Sequence, residues 1–207
     1  MWALIEDGSI TKHLSGNRGI TIGDIQYSRN IFSFRWSNEE REAIGIYEIV
    51  WDNAKKKDEA YYINTNQSFA FADGVVTASF GSATAKAPVD ILFTEEDEDN
   101  GLGTEGEVKV EGLKTKKIRT VKAQAAGILQ DTDWYIVRKA DADTNVPSAI
   151  TTFRAAVRTK AAAMETLITN ASNTPAIETL YTYVNTADEG DPVVMERPLG
   201  EFPVLGS

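Results

Sequence analysis

Hydrophobic positions follow two different rhythms along the chain. In its first part apolar side chains come in short runs, often alternating, broken by Asp-Gly, single glycines and polar clusters, which is the pattern of strands and turns. Trp2–Ile5 and Ser9–His13 flank Asp7-Gly8, and a two-residue turn of this kind needs positive φ at its centre, so a hairpin is predicted. Gly16 to Gly23 is a glycine-punctuated loop in which Ile20 and Ile22 alternate like a strand. Ile25–Tyr27 and Ile31–Trp36 are further short apolar pieces, the second offering Phe32, Phe34 and Trp36 as one aromatic face for burial. Ser37 with Glu40 three residues on predicts a capped short helix to Ile44, ended by Gly45. Ile46–Trp51 reads as the next strand, residues 52–59 as a polar loop and Ala60–Ile63 as strand-like. Ser68–Ala72, Asp73-Gly74 and Val75–Phe80 repeat the Asp-Gly hairpin. Residues 1–93 therefore predict a small antiparallel β-rich domain with one short helix.

The rhythm changes after an acidic, glycine-rich stretch, residues 94–112, which reads as a solvated linker with Val108 and Val110 as a lone strand at its end. Ile118, Val121, Ala125, Ile128 and Leu129 lie on one helical face that stops near Gln130-Asp131. From Pro147, which suits a first helical turn, a second stripe runs through Ile150, Phe153, Val157, Ala161, Met164, Leu167 and Ile168. Two facing stripes predict an antiparallel helical hairpin. The connection holds Trp134, Ile136 and Val137, expected as one short packed segment followed by a surface loop. Thr174 as cap and Pro175 in the first turn restart a short helix with Ile177, Leu180 and Tyr183 on its buried face. Residues 113–186 form this helical module. Residues 187–207 contain Pro192, Pro198, Gly200 and Pro203 and form no regular element, so they are expected to be an extended tail lying along this chain or a neighbour. Together these elements predict an α+β fold.

Composition narrows the chemistry. The net charge of −10 repels nucleic acid, and the one basic cluster, Lys114–Lys117 with Arg119, is accounted for as a solvated helix start, so no nucleic-acid partner is expected. The chain has no cysteine, which removes disulfides, thiol nucleophiles and cysteine metal sites. Its single histidine, His13, cannot make a histidine zinc cluster. Aspartates 97 and 99 are followed at once by Asn100-Gly101 with no glutamate at the calcium-loop distance, so no metal is expected. No phosphate-binding glycine motif and no nucleophile–base arrangement occurs, so neither a catalytic residue, a cofactor nor a small-molecule substrate is expected. No apolar run approaches the ~20 residues of a membrane span, and Met1–Asp7 lacks the basic flank and long apolar core of a signal peptide.

Leu129-Gln130-Asp131-Thr132-Asp133-Trp134, then Val146-Pro147 and Phe153-Arg154-Ala155-Ala156-Val157-Arg158, resemble the C-terminal module of bacteriophage tail-fibre assembly and tail-assembly chaperone proteins. That module carries a helix ending in Leu, a Thr/Ser-Asp-Trp joint, a proline-marked loop and an aromatic-Arg-x-x-aliphatic-Arg helix. The resemblance spans Arg119 to Met164. Phe153 stands where many relatives have Tyr, and no second Asp-Pro pair follows the tryptophan. Ile22-Gly23-Asp24-Ile25-Gln26-Tyr27, Trp36 before Ala43–Tyr47, and Tyr61-Tyr62 are also similar to proteins encoded among phage tail genes. The resemblance implies a non-enzymatic virion structural protein of the tail or tail-fibre region, or a transient assembly chaperone. Its partners would be other tail or fibre proteins, with self-association possible, and its location the virion or the host cytoplasm during assembly.

The residues to follow into the structure are Asp133, Trp134, Phe153, Arg154 and Arg158 as hairpin or partner interface, and Phe202, Val204 and Leu205 as tail-docking residues. Trp134 is expected to plug the end of its own hairpin, with Asp133 capping a turn; the alternative is a partner hot spot. Arg154 and Arg158, four apart on a helix, are expected to grip Asp131 or Asp133 within the chain.

Overall fold

A computed structural model describes residues 1–206, in two compact units that divide between Thr84 and Ala85. The fold is α+β, strands dominating the first unit and helices the second.

The first unit contains β1 (Trp2–Glu6), β2 (Ser9–Leu14), β3 (Ile20–Ile22), β4 (Ile25–Tyr27), α1 (Asn38–Glu42), β5 (Ile46–Asp52), the two-residue β6 (Tyr62–Ile63), β7 (Ser68–Ala72) and β8 (Val75–Ser79), with β9 (Thr84–Ala85) at the boundary. Five strands form one sheet in the order β2-β1-β5-β8-β7. β5 and β8 run parallel, and the other neighbours antiparallel. Both Asp-Gly turns form, with φ of 51° and 74° at Asp7 and Gly8, and 49° and 75° at Asp73 and Gly74. The edge strands β2 and β7 approach each other, with the His13 and Phe69 ring centroids 4.1 Å apart. The sheet is therefore curled, and it encloses Ala3, Ile49, Val76 and Ala78 among Tyr47, Phe69 and Phe71.

Ala3 and Leu4 point to opposite faces of β1, yet both are buried. Leu4 and Ile46 face a second core with Ile20 and Ile31, covered by the β3–β4 hairpin and the turns after it. Burying side chains of this size contributes roughly 1.5–3 kcal/mol each, so the sheet is stabilised from both faces. The expected aromatic strand at Ile31–Trp36 does not form. Arg29–Phe32 is a 3-10 turn, Phe32 and Trp36 pack on the second core, and Phe34 is 95% exposed. The buried Arg41 of α1 holds this turn, donating to the carbonyls of Ile31 and Ser33 at 2.7 Å each and to Asn38 Oδ1 at 2.9 Å. The capping box at Ser37 and Glu40 that starts α1 is present as expected.

In the second unit the segment expected as a linker is folded. β10 (Ile91–Leu92) pairs antiparallel with β11 (Val108–Val110), and between them α2 (Glu95–Asp99) starts at a capping box of Thr94 and Asp97. Lys109 Nζ reaches Asp97 Oδ1 at 2.7 Å and holds that carboxyl below the usual aspartate range, assisted by the Thr94 backbone amide. The boundary expected at residue 93 thus falls at 84, because Ile91-Leu92 has its strand partner further along the chain, not in the curled sheet. α3 (Leu113–Gln130), α4 (Asp133–Ala142), α5 (Ser148–Asn170) and α6 (Thr174–Tyr181) follow, then the short strand pair β12 (Val184–Asn185) and β13 (Met195–Glu196). Lys114 Nζ donates to Thr169 O at one end of the α3–α5 pair and Arg154 Nη1 to Leu129 O at the other, so these helices form the predicted antiparallel hairpin. Val121, Ala125, Val157, Ala161, Met164, Ile168 and Leu199 make its core. Two local expectations shift by a residue. Pro147 precedes α5 without being its first residue, and Asn173 caps α6 through Oδ1, whereas Thr174 is buried and its hydroxyl donates to Lys86 O at 2.6 Å.

Candidate functional site

The joint between α3 and α4 is organised by Arg154. Steps of four, three, four, three and four connect Ile150, Arg154, Val157, Ala161, Met164 and Ile168, all buried, so Arg154 occupies a core position on the apolar stripe of α5. Its side chain lies against the C-terminus of α3, where carbonyl groups have no helical partner and the helix dipole favours a cation. Nη1 is 2.8 Å from Leu129 O, 2.6 Å from Thr132 Oγ1 and 2.8 Å from Asp133 Oδ1. The same Leu129 carbonyl accepts from the backbone amide of Thr132 at 3.0 Å and from its hydroxyl at 2.9 Å. Arg154 thereby clamps the last turn of α3 to the first residue of α4. Its Nε is buried without a hydrogen-bond partner.

Several expectations change here. Asp133 is the first residue of α4 and pairs with Arg154, as anticipated for an intramolecular ion pair. Arg158, one turn further along α5, is exposed and makes no ion pair with Asp131 or Asp133. Trp134 does not plug the hairpin. It is 50% exposed, its ring stacked on Tyr135 at 3.8 Å between centroids and covered by the Arg138 guanidinium at 4.8 Å. The expected packed segment and loop are instead a ten-residue helix with no buried side chain, on which Ile136 and Val137 are also exposed. Phe153 is half-buried and packs on the edge of the α3–α5 core.

The tail folds back on its own chain. Leu199 is fully buried in the α3–α5 core, its amide bonded to Leu180 O at 3.0 Å, and Phe202 packs on the rim of the same core. Val204 is 70% exposed and Leu205 is exposed, so of the three anticipated docking residues Phe202 is the one that packs on the α3–α5 core. Arg197 pairs with Glu201, Nε to Oε1 at 2.7 Å, and lies over the rings of Tyr181 and Tyr183 at 5.7 and 5.3 Å. Tyr183 donates to Glu201, which raises the phenol and lowers the carboxyl relative to their ordinary values; Arg197 lowers Glu201 further. Burial raises Tyr181, whose hydroxyl has no partner. Open cavities of about 370 and 460 Å³ lie beside Phe153 where Pro203–Leu205 pass.

Thr132, Leu199 and the Tyr183–Glu201–Arg197 group were not anticipated. The position of Arg154 on the apolar stripe was readable from its spacing, and Leu199 between Pro198 and Gly200 carried the mark of an apolar residue held in a turn. Nothing local marked Thr132. Among the described residues no group of three or more His, Asp or Glu could hold a metal ion, and no helix is long and apolar enough to cross a membrane. Comparison with protein-family models, curated proteins and solved structures finds no match to this chain.

Proposed function

We propose that this chain is a non-enzymatic structural protein of a bacteriophage tail or tail-fibre region that acts through protein–protein interfaces. The observation that carries this reading is α4: a helix clamped at its first residue by a buried arginine, yet presenting Trp134, Ile136 and Val137 to solvent. Tryptophan and arginine are the side chains most enriched where binding energy concentrates, and Trp134 under Arg138 combines them. Of the residues that carry the phage resemblance, Leu129, Thr132, Asp133 and Arg154 build the joint at which this helix starts. The partners are other tail or fibre proteins, or further copies of this chain, met in the assembling particle within the host.

Mass spectrometry of purified particles tests the assignment. A stoichiometric copy number is the expected result. Absence from particles, with binding to tail subunits retained, would replace it by a transient assembly chaperone, which would present the same apolar helix and then release. A second measurement addresses the surface itself. Trp134→Ala with Val137→Asp is expected to abolish capture of tail subunits while leaving the thermal midpoint nearly unchanged, because neither side chain is buried. Unchanged capture would remove α4 from the interface.

A further inference from the structure

A second site lies in the first unit, and its argument does not depend on the phage reading. The segment from β2 to β3 walls a pocket of about 390 Å³ lined by Lys12, His13 and Arg18, with Leu14, Ile20 and Phe32 as its apolar part. No carboxylate lines it. That is unusual in a chain with 31 acidic against 21 basic residues. Neither the Lys12 nor the Arg18 side chain makes an ion pair or hydrogen bond among the described residues, so their charges are not consumed within the protein. The second polar wall is backbone. Gly16 and Gly19 both line the pocket, and the chain there is shaped by close packing: a Cβ on Gly16 (φ +75°) would sit 2.4 Å from the Trp2 ring, and one on Gly19 2.4 Å from Tyr27 O. The loop is thus held in one shape by β1 and β4, with its cations already gathered around a hollow. Such preorganisation lowers the ordering cost of binding.

We infer that this pocket binds a peptide carboxylate: the C-terminal residue of a partner chain, its carboxylate between Lys12 and Arg18 and its apolar side chain on Phe32. The volume suits one residue, not an extended ligand, and the mixture of free cations with an apolar floor suits an anion attached to an apolar body.

The test uses the full chain, labelled for NMR and titrated with a short peptide ending in Phe with a free carboxylate, the same peptide amidated, and inorganic phosphate. The free-carboxylate peptide is expected to shift the Gly16 and Gly19 amide resonances saturably, and amidation to abolish the effect. Lys12→Gln and Arg18→Gln are each expected to weaken binding about tenfold at low salt, since each removes a charge-assisted contact. Both side chains are exposed and unpaired, so the variants keep the parent thermal midpoint, which is measured alongside. Tighter binding of phosphate than of the peptide, equal binding of the amidated peptide, or no saturable shift with any probe would overturn the assignment.

Discussion

Replacing Arg154 by methionine isolates the clamp at the α3–α4 joint. Methionine keeps an unbranched apolar stem on the stripe but removes the charge and every donor. The guanidinium holds Leu129 O at 2.8 Å and Thr132 Oγ1 at 2.6 Å in a buried setting. A hydrogen bond to a charged group contributes roughly 1.5–3 kcal/mol net. The third contact, to Asp133, involves a carboxylate that is 55% exposed, so solvent screens it and about 0–1 kcal/mol is the most it adds. Against these stands the desolvation of a cation whose Nε has no partner, a cost the substitution relieves. Leu129 O still accepts from Thr132 and is not orphaned. The balance is a loss of about 2 kcal/mol from the second unit. Urea unfolding followed by far-ultraviolet circular dichroism measures it, because the longer helices all lie in that unit. Combined with Thr132→Val, a double-mutant cycle should return a coupling of about 1–2 kcal/mol, whereas Asp133→Asn alone should cost less than about 0.5 kcal/mol. Amide exchange should accelerate in α4 first. If the methionine variant is as stable as the parent, or if Asp133→Asn costs as much, the clamp does not hold the joint.

Other elements give sharp expectations. Leu199→Ala removes a fully buried side chain from the α3–α5 core and should cost about 2–4 kcal/mol in urea titrations, with the tail becoming cleavable by limited proteolysis at lower protease concentration. Gly16→Ala meets both a positive φ and the Trp2 ring, so it should destabilise the first unit by more than about 2 kcal/mol. Gly8→Ala, at similar φ but with open space around its Cβ, should cost only about 1 kcal/mol; equal thermal shifts for the two would refute the packing argument. The tail should also loosen at both ends of the pH scale. Glu201 is lowered by Tyr183 and then Arg197, so its contribution is present above the unfolded glutamate value and lost as pH falls through the lowered folded one. Tyr183 is raised by Glu201, so its contribution is present below the unfolded tyrosine value and lost as pH rises through the folded one. Amide exchange at Leu199 should follow both limbs, and Glu201→Gln should flatten the acid one.

Much of the architecture was legible along the chain because it depends on neighbours in sequence. The Asp-Gly turns, the Ser37–Glu40 capping box and the period of α3 and α5 are local requirements of backbone geometry and side-chain direction, and each appears where the pattern predicts it. The class of fold follows from those elements. What the pattern could not supply was pairing over distance. Ile91-Leu92 finds its strand partner beyond an acidic helix, which moves the unit boundary and turns an apparent linker into structure. The aromatic run at Ile31–Trp36 reads as a strand, but a buried arginine collects its carbonyls and makes it a turn. The same holds at the joint. A tryptophan between two amphipathic helices looks like a plug, and the arginine beside Phe153 like an ion-pair partner for Asp131 or Asp133. Tertiary packing overturns the first and extends the second, because Leu129 O, Thr132 Oγ1 and Asp133 offer clustered acceptors that one guanidinium bridges and the single N–H of an indole cannot. The sequence determined which residues stand at the joint and that Arg154 lies on the apolar stripe; only the packing of α5 against the end of α3 decided that its guanidinium meets Leu129 O and Thr132 and that Trp134 faces solvent.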